Sequence, residues 1–190
     1  MDRIRTILIS LIILGSWINV FAGHQQDSVI TYVFPDDWLG IWEGTLDIYK
    51  NQKIVQSVPM TLEHLKTDSS GVYIWAIIYG EDKVSGRRSY ELMAKDVSKG
   101  HYIVDEKNGI LLDGYVFANK YISNFEVMGN QLTSIYERTG NSMIFEILVN
   151  SSTPIQITGN VKAEGEETIP EVKSFPITGY QKATLKKRLK

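Results

Sequence analysis

Residues 39–49 read LGIWEGTLDIY, two glycines around a tryptophan followed by an alternating apolar and polar run. Successive side chains of a strand point to opposite faces, so Trp42, Gly44, Leu46 and Ile48 share one face and Glu43, Thr45 and Asp47 the other. A period of two over this length predicts a half-buried β-strand. Trp42 then has two readings. It is either a plug across one end of a closed sheet or a large core side chain at the start of a strand, and both readings bury the indole.

The same period continues outward from this stretch. Asn51-Gln52 turn the chain, and the second segment places Ile54, Val58, Met60, Leu62 and His64 together, broken by Gln56. Asp68-Ser69-Ser70-Gly71 is a turn by composition. The third segment, Val72 to Tyr79, is apolar on both faces and so requires cover on both. Beyond the polar loop Glu81 to Gly86, Arg88, Tyr90 and Leu92 share a face, and Lys99-Gly100 leads into a short segment from His101 to Asp105. Asn108-Gly109 is the strongest hairpin signal in the chain. Further segments follow at Ile110 to Ala118, Tyr121 to Met128, Gln131 to Arg138 and Ser142 to Val149. Nine strands in sequence, with no amphipathic helix of useful length between them, predict an antiparallel meander.

After Val149 the composition shifts. Residues 150–176 hold three of the five prolines and the acidic run Glu164-Gly165-Glu166-Glu167, a long polar excursion with one strand expected at Ile155 to Val161. Ile177 to Leu189 is expected to return as a further strand and to pair with the first, because closure removes both exposed sheet edges. The expected fold is therefore all-β, an antiparallel up-and-down barrel of about 8–10 strands.

Gly40-Ile41-Trp42 at the head of such a meander resembles the G-x-W feature of the calycin superfamily, the lipocalins and fatty-acid-binding proteins. That resemblance implies a lipocalin-like barrel whose tryptophan packs across one end, with a basic side chain from near the last strand against the indole. Arg188 is the arginine in that neighbourhood and is the expected partner of Trp42. The longer form Gly40-Ile41-Trp42-Glu43-Gly44 is also similar to the first strand of nitrobindin-like haem barrels, whose proximal histidine lies late in the chain. Here the histidines are His24, His64 and His101, so no haem or other cofactor is expected. The second strand follows the first directly, without the helix pair of a fatty-acid-binding protein.

The chain opens with Arg3 and Arg5, an apolar stretch from Ile7 to about Leu14, and the small-residue site Val20-Phe21-Ala22, the layout of a secretory signal peptide cleaved after about Ala22. The stretch is short for a membrane span, which needs ~20 apolar residues. Residues 23–190 are expected to form one secreted or periplasmic β-barrel domain without a stable span. Zero cysteines exclude disulfides, thiolate metal sites, cysteine nucleophiles and an acylated lipoprotein cysteine, and favour a bacterial protein. The formal charge of −2, or −3 once residues 1–22 are removed, is too weak and of the wrong sign for nucleic acid as main partner.

The inward faces supply an apolar and aromatic wall. Expected ligand-binding residues are Arg88 and Tyr90 as polar anchors, with Trp75, Tyr73, Met60 and Leu62. The mechanism would be desolvation of a small hydrophobic or amphipathic molecule, with Arg88 meeting a ligand carboxylate. Asp105 and Glu106 read as turn residues rather than as an acid and base pair. His64 and His101 lack a third ligand at informative spacing, so no metal site is expected. The G-x-S-x-G, H-E-x-x-H, P-loop and G-x-G-x-x-G signatures do not occur, and no catalytic residue is assigned. A filled barrel acting as an envelope interaction module is the rival class, with the basic tail Lys182 to Lys190 as a contact for an anionic surface. An enzyme with dispersed residues His64, His101 and Tyr90 is a third.

Overall fold

A computed structural model describes residues 32–160 and 169–189. The expected signal segment, residues 1–22, lies outside the described residues. After a short 3₁₀ turn at Asp36–Trp38, strands run at Gly40–Lys50 (β1), Lys53–Lys66 (β2), Val72–Tyr79 (β3), Arg87–Asp96 (β4), His101–Asp105 (β5), Leu111–Phe117 (β6), Lys120–Val127 (β7), Asn130–Thr139 (β8) and Ser142–Ser151 (β9). Three more follow, at Gln156–Thr158 (β10), Val172–Ser174 (β11) and Ile177–Lys187 (β12).

β1 to β9 and β12 form a closed antiparallel barrel in which each strand pairs with its sequence neighbours and β12 pairs with both β9 and β1. The expected all-β, up-and-down barrel of about 8–10 strands is thus present, with ten strands. The excursion contributes a separate two-stranded hairpin, β10 with β11, where one strand was expected.

The opening stretch explains the closure. Gly44 faces Leu185 across the β1–β12 seam, and a Cβ at Gly44 would stand 2.2 Å from the Thr184 carbonyl oxygen. Only glycine lets the first and last strands approach there. The seam joins residues 131 to 145 positions apart, from Tyr49 opposite Tyr180 to Trp42 opposite Lys187.

Register also chooses between the two apolar faces of β3. His64 of β2 lies opposite Trp75, and Trp75 opposite Tyr90 of β4, so Tyr73, Trp75, Ile77 and Tyr79 turn inward with the rest of the core. Ala76 and Ile78 point outward yet are also buried. Lys83 and Arg87 cross that outer face to reach Glu43 at 3.5 Å and Glu63 at 2.8 Å.

The two ends of the barrel differ. Residues 32–38 run across the end at which β1 begins and close it. Phe34 drives its ring edge-on against Trp38 (5.0 Å) and Tyr102 (4.8 Å) and stacks on Tyr121 (5.1 Å). The Trp42 indole N–H donates to the Trp38 carbonyl at 3.0 Å, the Tyr102 hydroxyl donates to the Phe34 carbonyl, and Asn119 accepts from the Tyr32 amide. Trp38, Trp42 and His64 are fully buried in this plug. Trp42 therefore seats an end-closing segment as well as filling core.

Candidate functional site

At the opposite end the barrel is open, and a cavity of about 140 Å³ enters it. Its floor and walls come from residues of seven consecutive strands, β3 to β9, and one β5–β6 turn residue. Trp75, Ile77 and Tyr79 of β3 and Tyr90 of β4 line one side, and Val104 and Leu112 the next. Tyr121, Ser123 and Phe125 of β7, Ser134 and Tyr136 of β8, and Phe145 and Ile147 of β9 complete the ring, with Glu106 at the mouth. Period-two alternation is what aims every second side chain of these strands at the same space.

The wall is mostly aromatic, and its rings pack edge to face. Trp75 meets Tyr136 at 5.0 Å and Tyr121 at 5.8 Å, and Tyr136 lies 4.7 Å from Phe145. Such pairs lock one another's rotamers, so the surface they present is preformed. Burial holds the Tyr136 phenol well above its ordinary pKa and pushes Tyr79 up to about 12. Both are neutral hydrogen-bonding groups at any physiological pH.

Gly114 makes room for one wall. A Cβ there would lie 2.3 Å from the Tyr121 hydroxyl and about as close to the ring itself, so the phenol lies directly over the bare β6 backbone. The Tyr121 hydroxyl is buried without a hydrogen-bond partner among the described residues, and burial pushes its pKa up. Ser123 Oγ donates to the Asp113 carbonyl at 2.6 Å.

The residues expected at the site fall into three groups. Trp75 and Tyr90 line the cavity. Tyr73, Met60 and Leu62 face inward but lie outside the cavity lining, Tyr73 packing its ring 5.6 Å from His64 and Met60 and Leu62 lying buried in the core. Arg88 has the inward phase of Tyr90, yet it is exposed, with its guanidinium donating to the Ser85 and Arg87 carbonyls of the β3–β4 loop. The strand ends at Arg87, and its neighbour's long side chain turns back to the loop instead of into the barrel.

The cations at Trp42 also differ from expectation. Arg188 Nε donates to Glu43 Oε2 at 3.0 Å on the outer surface, a contact that holds the Glu43 carboxyl below its usual range. Lys187, one residue earlier and of opposite phase, brings its ammonium 5.3 Å from the indole centroid. Arg138 of β8 stands 5.7 Å from Trp42 and stacks 3.8 Å over Tyr32. Alternation decides this, because adjacent strand residues cannot both face inward.

The three dispersed polar candidates do not converge. His64 sits in the plug with neither ring nitrogen hydrogen-bonded among the described residues. His101 lies on the outer wall, stacked on Tyr115 at 4.7 Å with Nε2 2.6 Å from Asp113, while Tyr90 is at the open mouth. Among the described residues no group of three or more His, Asp or Glu side chains is placed to hold a metal ion.

The sequence places Asp105 and Glu106 together as turn residues. Asp105 behaves so, its carboxylate accepting the Lys107 amide at 2.7 Å. Glu106 is likewise tied into the turn, its amide donating to the Ile110 carbonyl and its carboxylate accepting from the Asn108 amide, and it also continues the inward phase of Tyr102 and Val104 into the cavity mouth. The phase was the signal available for it.

No protein-family model matches the sequence, and no curated protein matches it significantly.

Proposed function

We propose that this protein binds a small hydrophobic or amphipathic molecule in the open end of its barrel. The observation that carries this reading is the pairing of one end sealed by Phe34, Trp38 and Trp42 with an aromatic cavity of about 140 Å³ at the other. Binding sites in proteins are mostly apolar, preformed and concave, with a few polar groups that orient the ligand. A dry cavity of about 150 Å³ accommodates a benzene ring. The occupant is thus a single ring or the end of a larger amphipathic molecule whose remainder stays at the mouth.

Binding proceeds by desolvation. The ligand's apolar surface leaves water for an aromatic wall that needs no rearrangement, at about 25 cal/mol per Å². The proposal includes export, since the opening residues carry a signal-peptide layout and the binding domain follows them.

The test is thermal denaturation and native mass spectrometry of residues 23–190 with benzene, toluene and indole. A hundredfold excess of probe over Kd adds about 2.7 kcal/mol of stability. Ser134→Phe, which projects a ring into the cavity, should abolish that gain while leaving the unliganded fold intact. Absence of any gain with all three probes, and a bare-chain mass after exposure to a lipid extract, would refute the reading.

A further inference from the structure

The electrostatics of the cavity are opposite to those expected from the sequence. Glu106 is the one formally charged side chain in its lining. That carboxylate has no ion pair among the described residues. Neighbouring Lys107 is instead held by Glu91 at 2.9 Å and Asp105 at 3.7 Å, on the outer face. The sole hydrogen bond to Glu106 in the described structure comes from the Asn108 amide at 3.2 Å, which leaves lone pairs free at the mouth. Arg88, the cation on the same rim, is outside the lining and tied to the loop carbonyls of Ser85 and Arg87.

Other groups around Glu106 are neutral but electron-rich. Tyr79 and Tyr90 line the same opening, and the Ser134 hydroxyl has no partner in the described structure. Burial raises the Tyr90 pKa, the Glu106 charge adds to the rise, and the Arg88 charge at the rim opposes it. Aromatic faces and a half-buried carboxylate together make a site for a positive charge, since a ring face attracts a cation through its quadrupole. A carboxylate ligand would meet Glu106 with like charge and no compensating cation in the wall.

We infer that the ligand is a small amphipathic amine, with an aromatic or similarly compact apolar body between Trp75, Tyr136 and Phe145 and an ammonium group at Glu106 beside Tyr79 and Tyr90. This assignment rests on the proposed binding function and specifies the ligand class for that cavity. Glu106 accepts the ammonium hydrogen bonds, and the tyrosine faces share the charge. Arg88 sets a weak opposing field at the rim. No covalent step is involved.

Three probes of one shape isolate the charge: 2-phenylethylamine, the neutral 2-phenylethanol and the anionic 3-phenylpropionate, titrated calorimetrically against residues 23–190 at neutral pH. The amine is expected to bind at least tenfold more tightly than the anion. Glu106→Gln, which preserves shape, should weaken the amine about tenfold and leave the alcohol unchanged. Arg88→Gln should strengthen the amine modestly. The inference is overturned if 3-phenylpropionate binds as well as the amine, or if Glu106→Gln leaves amine affinity unaltered while the alcohol still binds, a result that keeps the container. Failure of all three probes overturns both the amine and the container.

Discussion

His64 turns the sealed end of the barrel into a measurable acid sensitivity. It has no exposed surface, neither ring nitrogen makes a well-formed hydrogen bond among the described residues, the Trp38 backbone being its nearest polar neighbour, and its ring packs 4.9 Å from Trp75, 5.6 Å from Tyr73 and 5.9 Å from Phe34. Desolvation lowers its pKa to about 3, with Lys187 adding to the depression and the Trp38 backbone and Asp36 opposing it. In the unfolded chain the ring titrates near 6.5. Between those values the unfolded state binds a proton that the native state refuses, so stability falls as pH drops from 6.5 toward 3. Each unit costs about 1.4 kcal/mol, which makes the loss about 2.7 kcal/mol at pH 4.5 and nearly 5 kcal/mol at the plateau.

The comparison is wild type against His64→Leu, a replacement that strands no hydrogen-bond partner and should change stability at neutral pH by less than about 1.5 kcal/mol. Urea denaturation is followed at several values between pH 7.5 and 4.5, where carboxylates common to both proteins cancel in the difference. Wild type should lose about 2–3 kcal/mol more than the variant across that span. Parallel stability curves, or a native His64 ring that titrates near 6.5 by NMR, would refute the sealed plug and require water to reach the ring.

The other expectations concern packing. Gly114→Ala forces the Tyr121 ring off the β6 backbone and should destabilise by about 1–3 kcal/mol in urea midpoints, with partial recovery when Tyr121→Leu is added. Trp42→Phe deletes the donor to the buried Trp38 carbonyl, and a loss of about 1–3 kcal/mol with earlier hydrogen exchange in residues 32–38 is expected. Tyr121 and Tyr136 should show no tyrosinate absorbance until the protein unfolds in alkali. Their raised native pKa values contribute stability that is present below pH 10 and lost above it. Replacing Arg188 by Gln should free Glu43 to titrate nearer the usual carboxylate range without opening the plug, which carbon-detected NMR would report.

Particular residues show how much was legible in the chain. Alternation in residues 39–49 places Trp42 and Leu46 inside, as found. The turns at Asn51-Gln52 and Asn108-Gly109 separate strands where the composition says they should. The return of residues 177–187 against β1 follows from the need to cover two sheet edges. These are properties of short stretches, because the two-residue period and turn chemistry act over a few residues at a time. They were enough to determine an all-β barrel of about 8–10 strands.

Pairing across the barrel decided the rest. The apolar faces of Val72–Tyr79 are equivalent in sequence, and only the alignment of Trp75 with His64 and Tyr90 turns one of them inward. The phase of the last strand at closure puts Lys187 rather than Arg188 over Trp42. The cavity depends still more on tertiary structure, since it is the volume left when side chains from seven strands have packed against one another and residues 32–38 have filled the opposite end. Glu106 acquires its place from the same closure. Local alternation says which way a side chain points, whereas the space it points into is made by strands far away in the chain.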